Sequence, residues 1–119
     1  MGGGLNELPK LTVFDRELFE MTTMNDLKLQ VEVLELFSTQ LSLVRKTLSQ
    51  TRLDLQDSKF MSHSLRGAAS AVGANEIEDL ASQWEQMSLD QKTLAERFET
   101  AAREFQLATA DYWQVQKAG

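Results

Sequence analysis

The chain has 119 residues, 42% of them apolar, and is acidic, with 18 Asp and Glu against 12 Lys and Arg and a net charge of −6. That length fits one domain with one modest core, and the charge disfavours the phosphate neutralisation on which DNA and RNA binding depend. Without cysteine and with a single histidine, disulfides, thiolate sites, cysteine nucleophiles and paired-imidazole zinc sites are excluded, so no metal and no cofactor is expected.

Residues 1–10 read as a flexible leader. They contain Gly2, Gly3, Gly4 and Pro9, the chain's one proline, and lack the basic and apolar regions of a signal peptide. No apolar run is long enough to span a bilayer, which points to a cytoplasmic protein without a membrane contact. Residues 11–119 form the domain proper, where only Gly67 and Gly73 lie inside the helical pattern.

Asp15 is placed to cap a short first helix containing Leu18 and Met21. Asn25 is then expected to cap a long helix in which Leu27, Leu34, Leu41 and Leu48 recur every seven residues, with Val31, Phe37 and Val44 on the same face. This is the core stripe of a bundle. Leu29, Val33, Leu36 and Leu43 form a second stripe, which predicts a second covering neighbour, with the short first helix as the natural cover, or else a patch for a partner.

A third helix is predicted over 56–72 and a fourth over 76–87, the latter with Ile77, Leu80, Ala81 and Trp84 facing inward. A fifth is predicted from the cap Asp90 to about Gln114, with Leu94, Phe98, Ala101, Phe105, Ala108 and Tyr112 along one side. The intervening loops are short. The expected architecture is all-α: an antiparallel up-down four-helix bundle with a short extra N-terminal helix.

On a wheel of the third helix, Met61, Leu65, Ala68, Ala69 and Val72 lie about 140° to 240° from His63, whereas Arg66, Gly67 and Ser70 lie within about 60° of it. The imidazole therefore points away from the core. Gly67 sits one turn beyond it in mid-helix, where glycine costs roughly 1 kcal/mol relative to alanine. A glycine there lets another molecule approach closely, and Ser70 and Ala71 extend the low relief. Arg66 can pair with anything anionic attached to the ring. Gly73 suits the left-handed position that closes the helix.

The run His63-Ser64-Leu65-Arg66-Gly67-Ala68-Ala69-Ser70-Ala71-Val72-Gly73-Ala74 closely resembles the signature of histidine-containing phosphotransfer domains, in which H-x-L-K/R-G precedes small residues and a glycine. Ile77, Leu80, Trp84 and Glu85 are similar to the family's next helix, which often carries Gln or Glu near the phosphoacceptor. The resemblance implies a monomeric carrier, phosphorylated on His63 by the aspartate of one response-regulator receiver domain and dephosphorylated by that of another, and fed by a hybrid histidine kinase. It further implies Arg66 as a phosphate-side cation, Glu85 as an orienting group, and Gly67 as the opening that admits the receiver, which brings its own magnesium. Ser70, Ala71, Phe60, Leu18 and Met21 are expected to complete the docking surface.

An exposed imidazole is largely neutral near pH 7, so it needs no activating base. A nucleotide-binding loop is absent, since both motif glycines fall within or at the end of a helix, and no independent enzymatic activity is expected. The competing expectation is a helical interaction module in which His63 is incidental and Leu29, Leu36 and Leu43 grip a partner helix or a second copy.

Overall fold

The computed structural model describes residues 12–118; the leader expected over 1–10 lies outside them. Among the described residues there are five helices and no strand: α1 (Arg16–Thr22), α2 (Leu27–Gln50), α3 (Leu55–Val72), α4 (Asn75–Glu85) and α5 (Gln91–Ala118). No described helix is long and apolar enough to cross a membrane.

Aspartates start four of the helices. Asp15, Asp26, Asp54 and Asp90 each accept, through Oδ1, a backbone N–H three residues on, at 2.7 to 3.3 Å. Each satisfies one of the first-turn N–H groups that no helix can satisfy internally. Asn25 does not cap α2 as its sequence position suggested. It lies at φ 54 beside Met24 at φ 52, and this left-handed pair turns the chain so that Asp26 takes the capping position.

The long helices close into a ring: α2 packs on α3, α3 on α4, α4 on α5, and α5 returns to α2. This is an antiparallel four-helix bundle with α1 as the extra N-terminal helix. Phe37, Leu41, Val44, Leu48, Leu65, Ala69, Val72, Ile77, Leu80, Ala81, Trp84, Leu94, Phe98, Ala101 and Phe105 fill its interior. On α3 the small side chains Ser58 and Ser62 are also buried, which lets neighbouring helices approach closely.

One end of the core is aromatic. Phe14 meets Phe19, Phe105 and Tyr112 with ring centroids 5.2 to 5.6 Å apart, in the tilted and edge-on arrangements that aromatic rings favour. The Tyr112 hydroxyl faces Glu20 Oε2 at 3.1 Å and Gln30 Oε1 at 3.4 Å; Gln30 Nε2 donates to Thr23 Oγ1, which donates to the Phe19 carbonyl. Gln30 and Thr23 are almost fully buried, and this chain of bonds is what makes their burial tolerable. Burial, reinforced by the Glu20 carboxylate, pushes the Tyr112 phenol above its ordinary value.

At the opposite ends of α2 and α4, Gln91 holds two connections at once. Its Oε1 accepts from Leu53 N, while its Nε2 donates to the carbonyls of Leu48 and Thr51.

Three expectations are corrected. Leu27 and Val31 of the heptad stripe are exposed, and of the second stripe Leu36 and Leu43 are exposed while Leu29 and Val33 are half-buried. The first helix packs on α3 rather than on α2, and so does not cover the face of α2 that carries Leu36 and Leu43. Helix α4 stops at Glu85, two residues early, because the chain turns through Met87 at φ 59. Helix α5 runs to Ala118, one turn beyond Gln114.

Candidate functional site

The face of α3 opposite the core carries Phe60, His63, Gly67, Ser70 and Ala71, all exposed. The inner residues Leu65, Ala69 and Val72 are buried and fix the rotation of the helix, so the direction of His63 follows from packing. The imidazole is 70% exposed.

His63 Nδ1 lies 3.1 Å from Glu85 Oε2, and Glu85 Oε1 lies 3.1 Å from Arg66 Nε. Glu85 reaches the ring because it is the last residue of α4, the helix packed along α3. Its carboxylate is acceptor-only, so Nδ1 donates and the neutral ring carries its proton there. Nε2 is then the nitrogen with the free lone pair. Arg66 Nη2 also approaches Nδ1, at 3.4 Å, but two donors make no bond, and the closer carboxylate decides the tautomer.

In this structure the Arg66 guanidinium is engaged by Glu85 on the Nδ1 side of the ring.

Gly67 and Gly73 have opposite surroundings. A Cβ built on Gly67 meets nothing within 4 Å, so nothing among the described residues requires a glycine there. Gly73 has φ 76, and a Cβ on it would lie 2.7 Å from the Asp15 carbonyl oxygen; its own carbonyl accepts from Asp15 N at 2.8 Å. Gly73 thus closes α3 in the left-handed conformation, as its position predicts, and also anchors the entry to α1.

The expected docking residues are partly gathered. Phe60 is 74% exposed and Met21 70%. Thr22 Oγ1 donates to the Ala71 carbonyl and brings the end of α1 to this face. Leu18 is a correction: it is half-buried, one position before the fully buried Phe19, and offers only part of its side chain.

Two features escape the sequence reading. Glu78 joins His63, Arg66, Gly67 and Ser70 around a shallow depression. Its signal is its spacing, seven residues before Glu85 and so on the same stripe of α4. The other is Gln40 on α2, whose Nε2 donates to Ser64 Oγ and places the exposed Leu36 and Leu43 beside the outer side of α3. Among the described residues no cluster of His, Asp and Glu is suited to hold a metal ion.

The model of the Hpt domain family matches residues 19–114, most of the chain. The chain belongs to the Hpt domain family, whose members carry phosphoryl groups in phosphorelays and interact there with receiver domains. No curated protein and no solved structure gives a significant match.

Proposed function

We propose that this chain is a phosphocarrier that accepts a phosphoryl group on His63 Nε2 from a receiver-domain aspartate and passes it to the aspartate of another receiver. The observation that carries this reading is an imidazole 70% exposed, one turn from a glycine on which an added Cβ would meet nothing within 4 Å. Phosphoryl transfer demands little covalent chemistry of the protein and much positioning: an in-line nucleophile and compensation of charge on the equatorial oxygens. Glu85 supplies positioning by fixing the ring's tautomer and orientation. Arg66, released from Glu85, is the cation within reach of the transferred group.

Gly67 keeps the approach to Nε2 low, and Phe60 and Met21 offer apolar contact at its rim. A carrier must leave one partner before meeting the next, so the interface is small and transient. The chain acts as a monomer in the cytoplasm, takes its phosphoryl group from the receiver of a hybrid histidine kinase, and has no catalytic activity by itself.

Incubation with a phosphorylated receiver tests this. Acid-labile label is expected on the chain and is lost completely in His63→Gln; label that persists in that variant refutes the proposal.

A second reading draws on Leu36 and Leu43, 73% and 60% exposed. In it, their face of α2 binds a partner helix or a second copy, and His63 is incidental. Sedimentation separates the two: a dimer dissolved by Leu36→Glu supports the second, whereas a monomer removes self-association.

A further inference from the structure

The depression beside His63 holds a charge that the carrier reading leaves unused. Glu78, half-buried on α4, borders it together with His63, Arg66, Gly67 and Ser70. Its own helix gives it no partner, because the residues one turn away, Ala74, Asn75, Ala81 and Ser82, carry no positive charge. The ion pairs among the described residues are Arg45 with Glu99, His63 with Glu85, and Arg66 with Glu85, so the rest of the fold supplies none either.

The neighbouring cations are committed or distant. Arg66 lines the same depression, but its Nε is held by Glu85 Oε1 at 3.1 Å. Lys59 precedes Gly67 by two turns of α3, about 12 Å along the helix axis. The positive end of the α4 dipole, whose first turn contains Glu78, amounts to roughly half a unit charge and is shared with Glu76. A half-buried carboxylate that has given up part of its hydration is therefore only partly compensated by this chain.

The space above it is the second observation. The floor at Gly67 would take a Cβ without meeting anything within 4 Å. The depression has a volume of about 250 Å³, several times the roughly 30 Å³ that one water takes up in the liquid, so a whole side chain fits there. Charge decides which kind. An ammonium or guanidinium would pair with Glu78, and the hydroxyl of the exposed Ser70 can accept another of its N–H groups. An acidic side chain would be repelled, and an apolar one would leave the carboxylate covered and unpaired.

We propose that Glu78 is a partner-selecting residue: it binds a Lys or Arg side chain that the docking receiver inserts over Gly67 and Ser70, beside His63. This rests on the carrier reading given above, since it needs a receiver to dock on this face. Charge pairs at an interface act on encounter and on the choice between partners more than on the reacting atoms, so the effect belongs in kcat/KM, chiefly through KM.

The probe is a phosphorylated receiver domain that labels the wild-type chain, held below saturation and mixed with the full chain or its Glu78→Gln and Glu78→Lys variants. Transfer is expected to fall about fivefold in Glu78→Gln and about twentyfold in Glu78→Lys, with both deficits shrinking in about 0.5 M salt. Phosphoramidate, a small phosphodonor with no docking surface, labels His63 in parallel, and the losses seen with the receiver should be several times larger than any seen with it. Each Lys and Arg of the receiver is then replaced in turn by Glu; one such replacement should slow transfer to the wild type and restore it to Glu78→Lys. Equal kcat/KM for the three chains, an equal loss with phosphoramidate, or the lack of any rescuing receiver variant would overturn the inference and leave the carrier reading intact. Absence of label on His63 from both donors would sink the carrier reading and the inference with it.

Discussion

Two glycines six residues apart on α3 serve different masters. The turn at Gly73 is built around the absence of a side chain: φ is 76, and the Asp15 backbone occupies the space a Cβ would need. The surface at Gly67 has a regular helical backbone and empty space, so the fold would gain from an alanine there. A residue that the fold does not need, beside an exposed imidazole, points to a demand from outside the chain. Without the contrast with Gly73, both glycines would look like ordinary helix punctuation.

The contrast is best tested by breaking each side of it. Gly73→Ala is expected to cost about 2 to 4 kcal/mol, from the left-handed conformation and the loss of the Asp15–Gly73 contact, read as a lower urea midpoint. Gly67→Gln should leave that midpoint within about 0.5 kcal/mol of wild type, yet slow transfer from a phosphorylated receiver roughly tenfold or more. Its companion Gly67→Ala should raise stability by about 0.5 to 1 kcal/mol. A loss of stability in either variant at 67 would show that the fold does use that glycine. The smallest effect is predicted for Leu36→Glu: about 0.5 kcal/mol or less on unfolding, since the side chain is already in water. A larger loss there would mean that the face is covered in solution.

Much of the bundle is legible in the sequence because periodicity reports rotation directly. The inner faces of α3, α4 and α5 follow the spacing of Leu65, Ala69 and Val72, of Ile77, Leu80, Ala81 and Trp84, and of Leu94, Phe98 and Phe105, all buried. Helix α2 is where this fails. Two leucine stripes of similar strength run along it, and spacing cannot say which has a neighbour; that depends on α1 packing on α3, a contact between residues far apart in the chain. Buried polar residues were also hidden. Gln30 and Thr23 look like surface residues until Gln30 bonds both Thr23 and Tyr112, the latter 82 positions away, and Thr23 bonds the Phe19 carbonyl.

The candidate site divides in the same way. The outward direction of His63 and the low relief of Gly67, Ser70 and Ala71 come from one helix, so the wheel suffices to find them. The pairing of Glu85 with both His63 and Arg66 joins two helices. It needs the length of α4 and its alignment with α3, and the early end of α4 is set by the turn through Met87.

The bond between Tyr112 and Glu20 also fixes an order of events during synthesis. Its partners are 92 residues apart, and the Phe14 and Phe19 rings that pack on Tyr112 lie at the same early end of the chain. While the ribosome is still making α5, α1 has emerged but lacks the aromatic ring that holds it down. Helix α1, although made long before α5, is thus completed late, and until then part of the surface of α3 it will cover is open to chaperones.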